Sequence, residues 1–316
     1  MTEKRRTEDL VQKLRSGDPR SLAKCISIIE NNDPVAQDLL NSLFGLAGRA
    51  IRLGITGPPG AGKSTLTSKL SLLYAEAGKK VGILAIDPSS PFSGGAVLGD
   101  RIRMSEVALH PNVFIRSMAT RGSLGGLAEA AQDVSVLFDA FGMDLIIYET
   151  VGVGQGELDV VNAADTTIVV LVPESGDGIQ AMKAGLMEIA DIFVVNKADR
   201  EGANRLKLEL ESILQLKPEK SAWQAPILST VAKDNKGISE LKDEIAEHQK
   251  HLLESGKLKE NRLLRVKRKL ELVVLKELAD NFWSPDRREA LQSVANKIIE
   301  GKMTPLEAIS FIKNSK

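Results

Sequence analysis

The segment Gly57 to Thr65, GPPGAGKST, stands between an apolar run, RLGIT, and a helix-period run, LTSKLSLLYAEAG, that stops at Gly78. Strand, then G-x-x-x-x-G-K-[ST], then helix is the order of a phosphate-cradling turn on an open α/β sheet. Glycines let successive backbone N–H groups turn inward around phosphate oxygens, and the helix N-terminus that follows adds a favourable dipole. The candidate phosphate-binding residues are Gly57, Pro58, Pro59, Gly60, Ala61, Gly62, Lys63, Ser64 and Thr65. Among them Lys63 supplies a point charge for the β and γ phosphates, and Ser64 a hydroxyl for Mg²⁺.

Magnesium takes hard oxygen ligands and one or two carboxylates. Three acids stand where an open α/β sheet places its ligands, at or beyond strand carboxyl ends. Asp87 ends VGILAI, Asp100 lies in PFSGGAVLGD, and Glu149 ends DLIIYE just before Thr150 and Gly152. The catalytic candidates are Lys63, Asp100, Glu149 and Gln155, the last as a residue that orients the attacking water. Gly152 matches a glycine whose N–H senses the γ-phosphate, so 153–156 reads as a nucleotide-dependent loop.

Immediately after the apolar strand DIFVV comes NKAD, which places Asn196, Lys197 and Asp199 as N-K-x-D requires. Asp199 accepts hydrogen bonds from guanine N1–H and its 2-amino group; adenine offers neither, and would leave a desolvated carboxylate unmatched. Lys197 lays its stem along the base and Asn196 ties the loops together. Val231, Ala232 and Lys233, after the last strand, are expected to meet the base through backbone groups. A P-loop with a guanine reader predicts a GTPase, with GTP as substrate, GDP as product and Mg²⁺ as cofactor.

β-Branched runs alternate with helix-period segments between Arg52 and about Ser229: RLGIT, VGILAI, VFIRS, DLIIYE, TTIVVLV, DIFVV and PILS. This predicts βαβ units around a buried, mostly parallel sheet. The expected fold class is α/β, a P-loop NTPase flanked by helical segments: an N-terminal helical segment over 1–48, the GTPase domain over 49–250 and a C-terminal helical arm over 251–316. Asn31 to Pro34 breaks the first segment into two short helices. In the arm, Ser284 before Pro285 and Thr304 before Pro305, with Glu307 three residues on, mark helix starts. The basic stretch Arg262 to Lys269 carries apolar residues at Leu264, Val266, Leu270, Val273, Val274 and Leu278. It reads as an amphipathic helix packing on the core or on a second subunit, rather than as a nucleic-acid arm.

Lys plus Arg and Asp plus Glu each total 42, so the net charge of zero draws neither nucleic acid nor an anionic membrane to the chain as a whole. One cysteine, Cys25, excludes a disulfide framework and fits a reducing compartment. His248 and His251, one helical turn apart with no third ligand near them in sequence, read as a solvated helix face. No run approaches the ~20 apolar residues of a membrane span, and the N-terminus has no apolar h-region. The expected setting is cytoplasmic.

Taken together, GITGPPGAGKSTL, AIDPSSPFSGGAVLGDRIRM, SMATRGSLGGL, ETVGVGQGE and GDGIQAMKAGLMEIADIFVVNKAD resemble the MeaB-type GTPases, also called ArgK or LAO/AO transport kinases. The likeness extends into the leading helix and the helical tail. It implies a SIMIBI-type P-loop fold with a C-terminal arm used in homodimerisation. It also implies a metallochaperone-like regulator whose GTP hydrolysis gates adenosylcobalamin loading and protection of methylmalonyl-CoA mutase, a separate chain. In those terms Asp177, Gln180 and Lys183 form a third switch that couples to the mutase. The chain departs from many members at Gly178, where they carry an acid.

Two alternatives share the fold: a GTPase serving another adenosylcobalamin-dependent acyl-CoA mutase, and a P-loop kinase of the transport-kinase name. A kinase has no need of N-K-x-D. A nickel-insertion GTPase would show a His-rich tract, and a transporter ATPase an LSGGQ-like signature; the sequence contains neither.

Overall fold

Each of the seven apolar runs forms one strand of a single sheet: β1 Ile51–Thr56, β2 Val81–Pro88, β3 Val113–Thr120, β4 Leu145–Thr150, β5 Thr166–Leu171, β6 Ile192–Asn196 and β7 Ile227–Thr230. The computed structural model describes residues 3–88, 104–120, 126–150, 163–173, 185–215 and 222–315. The strand order is β3-β2-β4-β1-β5-β6-β7, and every pairing is parallel. Parallel neighbours require crossovers, which helices supply. The described helices are α1 Glu3–Arg15, α2 Pro19–Glu30, α3 Ala36–Leu43, α4 Lys63–Glu76, α5 Ser105–Ala108, α6 Gly126–Phe141, α7 Leu186–Ile189 and α8 Ala203–Gln215. They continue with α9 Ile238–Glu254, α10 Lys257–Phe282, α11 Pro285–Ile299 and α12 Pro305–Asn314.

The chain divides into two compact units, Met1–Arg262 and Leu263–Lys316. In the first, helices cover both faces of the sheet, which is why its strands read as continuous apolar runs. Alternate residues of a strand point to opposite faces. Ile146 and Tyr148 of β4 pack with Leu22, Ile26, Leu39 and Phe138 of α2, α3 and α6. Leu145 and Ile147 face the other way, with Leu66 and Leu70 of α4 and Leu241 and Ile245 of α9. Val169, Phe193 and Val195 close a third cluster with Leu206 and Leu210 of α8.

Two helices were expected ahead of β1, and there are three. The charged N-terminal stretch forms α1, which buries Leu10 and Leu14 in the same cluster as α2 and α3. The break predicted at 31–34 separates α2 from α3, and Asp18 caps α2 by accepting the Ser21 N–H at 3.0 Å.

Buried charges fix the entry to β1. The Asp139 carboxylate of α6 has no solvent exposure and accepts the backbone N–H groups of Gly48 (2.7 Å), Arg49 (3.0 Å) and Ala50 (2.8 Å). Arg52 donates to it at 3.1 Å. Arg262 donates to Asp165 at 2.6 and 3.2 Å and also to the carbonyls of Gly48 and Ala50. Removing one member of such a network leaves a buried charge uncompensated, a loss of about 3–5 kcal/mol.

His248, read from the sequence as part of a solvated helix face, is 2% exposed instead. Its side of α9 turns toward the sheet, and its Nδ1 lies 2.9 Å from Thr166 Oγ1.

The second unit is the remainder of α10 with α11 and α12. Ala290, Val294, Ala308 and Ile312 form its small core, with Phe282, Trp283 and Met303 against it. Ser284 accepts the Arg287 N–H at 3.3 Å, and Thr304 with Glu307 makes a reciprocal capping box, both as the sequence predicts. No residue of α10 is buried, and Leu264, Val266, Leu270, Val274 and Leu278 are 48–60% exposed.

Candidate nucleotide site

β1 is central in the sheet, so its carboxyl end delivers the P-loop between β4 and β5. Gly57 (φ 136°), Gly60 (φ 77°) and Gly62 (φ 87°) adopt a backbone conformation that side chains disfavour. Two of them have no room for one either. A Cβ on Gly57 would lie 2.0 Å from the Val170 carbonyl oxygen of β5, and one on Gly62 would lie 2.4 Å from Asn196 Nδ2. The turn thus presses against two neighbouring strands.

Lys63, the first residue of α4, is buried, and its Nζ donates to the carbonyls of Gly57 (2.7 Å) and Pro58 (2.9 Å). Ser64 Oγ donates to Glu149 Oε1 at 2.5 Å. The register of β1 on β4 pairs Ile55 with Glu149, which sets Thr56 beside Thr150, and the Thr150 hydroxyl donates to Thr56 Oγ1 at 3.1 Å. Pro59, Gly60, Lys63, Ser64, Thr65 and Glu149 line a cavity of about 490 Å³.

At the N-K-x-D turn, Asn196 ends β6 and is buried. Its Nδ2 donates to the Ala61 carbonyl at 2.9 Å, and its Oδ1 accepts from Thr230 Oγ1 (3.0 Å) and the Ala232 N–H (3.1 Å). Lys197 turns out of the strand at φ 56°, and the Ala198 N–H donates to the Thr230 carbonyl at 3.0 Å. Asp199 is exposed at the tip of the turn, Ala232 is buried, Val231 half-buried and Lys233 exposed.

The structure therefore brings together the P-loop, Glu149, Asn196 to Asp199 and Val231 to Lys233 at the carboxyl edge of the sheet. Asp87 stands in β2, one residue beyond the Ile86–Thr150 pair, and its side chain lies outside the described residues. Asp100, Gln155, Asp177, Gln180 and Lys183 lie outside them too. Sequence reasoning missed the Thr56–Thr150 bridge and the Ala61 and Thr230 partners of Asn196. These depend on which strands are neighbours in space, which no local pattern encodes.

The profile of the family described as "Methylmalonyl Co-A mutase-associated GTPase MeaB" matches residues 22–287. The chain belongs to this family. It is a P-loop GTPase, and relatives agree over nearly their whole length. A Pyrococcus abyssi protein named as a candidate GTPase is 46% identical over 308 residues, 96% of this chain and 95% of that one. GTPase ArgK of Escherichia coli is 34% identical, with 96% of each chain covered. The crystal structure of an LAO/AO transport system kinase superposes with a TM-score of 0.76 at 26% identity, covering 99% of this chain and 98% of that one.

Asn196→Ala removes three ties between loops while leaving the P-loop sequence intact. It is expected to weaken GDP binding at least about tenfold, since each buried bond contributes about 0.5–1.5 kcal/mol and its orphaned partners cost more. Titration with a fluorescent GDP checks this; wild-type affinity in the variant would contradict it.

Proposed function

We propose that this MeaB-family GTPase regulates an adenosylcobalamin-dependent acyl-CoA mutase, a separate chain, with methylmalonyl-CoA mutase as the first candidate client. The family match across residues 22–287 carries this reading, because it takes in the segments expected to change with the nucleotide as well as the nucleotide loops.

In this reading the P-loop amides and Lys63 bind the β and γ phosphates, and Asp199 selects guanine. Val231, Ala232 and Lys233 border the base. Ser64 and Glu149 offer a hydroxyl and a carboxylate oxygen side by side, a hard-oxygen donor set that suits Mg²⁺. Ser64, with Asp87, Asp100 and Glu149, would hold that ion, which when bound supplies charge neutralisation at the phosphates. Gln155 orients water, and Asp177, Gln180 and Lys183 pass the nucleotide state to the client. Thr150, hydrogen-bonded to Thr56, fixes the strand end from which 151–156 leave. GTP turnover should rise at least about tenfold when the client mutase is added, as it does when a partner completes a GTPase site. The two proteins should also co-elute in a nucleotide-dependent way. Unchanged turnover with no co-elution would contradict the proposal.

The same reading makes the chain a cytoplasmic homodimer through its C-terminal arm, 251–316. Its support is α10, which leaves Leu263, Leu270, Val274 and Leu278 exposed on one 26-residue helix. An apolar surface of that extent is a protein-interaction surface. Leu270→Glu with Leu278→Glu is expected to convert a dimer to a monomer in analytical ultracentrifugation while GTP binding persists. A wild-type monomer, or a variant that is still dimeric, would contradict it.

A further inference from the structure

At the opposite edge of the sheet from the nucleotide loops, where β5, β6 and β7 begin, lies a larger cavity of about 970 Å³. That volume falls within the range of small-molecule sites. Nothing in the GTPase reading uses it. Asp191 at the head of β6, Trp223 before β7 and His248 with His251 on α9 form its wall.

These groups hold one another in place. Trp223 Nε1 donates to the Asp191 carbonyl at 2.8 Å, and the indole lies 4.7 Å from the His248 ring and 5.3 Å from that of His251. Thr166 Oγ1 accepts from Gln249 Nε2 and lies 2.9 Å from His248 Nδ1, while His248 Nε2 faces Asp191 Oδ1, 3.4 Å away. Burial holds the His248 imidazole down to about 4, so at neutral pH it is uncharged. The Asp191 carboxylate accepts the Thr167 N–H at 2.7 Å and has no Lys or Arg ion pair among the described residues. Desolvation pushes its carboxyl up to about 6, so it is ionised at neutral pH at a cost that a nearby cation would offset.

Glu188, Glu211 and Glu260 line the same cavity against one ammonium among the described residues, that of Lys257, while Leu214 and Leu252 supply aliphatic surface. Carboxylates beside a fixed indole face suit a cation with an apolar stem. No group of three or more metal-ligating side chains occurs among the described residues, which favours an organic cation over a metal ion.

We propose that this cavity is a second ligand site and that it takes an organic cation, a guanidinium or primary ammonium group on an aliphatic stem. The test uses the full chain with Trp283→Phe, which leaves Trp223 as its one indole. Butylguanidinium and spermidine are titrated against Trp223 fluorescence, with butylurea as an uncharged analogue of the same shape. At least one cation is expected to give a saturable change with a Kd tighter than about 1 mM. Butylurea is expected to give none, and Asp191→Asn to weaken binding about tenfold or more. If Asp191→Asn loses its native melting transition, Glu188→Gln in the same cavity must weaken binding instead. No saturable response to either cation, an equal response to butylurea, or undiminished binding in the folded variant would overturn the proposal.

Discussion

Three loops meet at one buried side chain. Asn196 donates to the P-loop at Ala61 and accepts from Thr230 and Ala232, while its Nδ2 stands where a Cβ on Gly62 would have to go. Ala61 lies in a turn and Thr230 closes β7, and buried backbone groups must find partners somewhere. An amide side chain with a donor at one end and a two-lone-pair acceptor at the other serves both loops at once. The spacing between the P-loop and the N-K-x-D turn is therefore fixed by contacts within the protein.

The rest of the site inherits its geometry from the sheet. β1 sits between β4 and β5, so its last residues are flanked by Glu149 and Thr150 on one side and by Ile168 and Val169 on the other. The 2.5 Å contact from Ser64 to Glu149 and the Thr150–Thr56 bridge both follow from that adjacency. At the other end of β1, Asp139 gathers three backbone N–H groups and Arg52, and Arg262 grips Asp165 with the carbonyls of Gly48 and Ala50. Both ends of the strand that carries the P-loop are thus pinned by polar contacts, while its middle packs apolar surface on both faces.

Much of this was legible in the sequence. A strand buried on both faces is a continuous apolar run, and all seven were readable as such, with the P-loop and N-K-x-D at two of their ends. The helix caps at Ser284 and Thr304 were readable because a cap is a local hydrogen bond. What escaped depended on neighbours distant in sequence. α1 is stabilised by Leu10 and Leu14 packing on other helices, a contribution that its charged composition hides. His248 is buried because Thr166, 82 residues away, offers a hydroxyl at the start of β5. The roles expected of Asp87, Asp100, Gln155 and the Asp177 to Lys183 segment rest on sequence alone.

In the proposed GTPase site a phosphate cradle is joined through Asn196 to Asp199, the carboxylate proposed to read guanine. Its most direct test is side-by-side binding of fluorescent GDP and ADP to the wild-type chain and to Asp199→Ala. The wild-type chain is expected to prefer GDP at least about a hundredfold, and the preference to collapse in the variant, because two hydrogen bonds to a carboxylate are lost. Equal or tighter binding of ADP by the wild-type chain would contradict it.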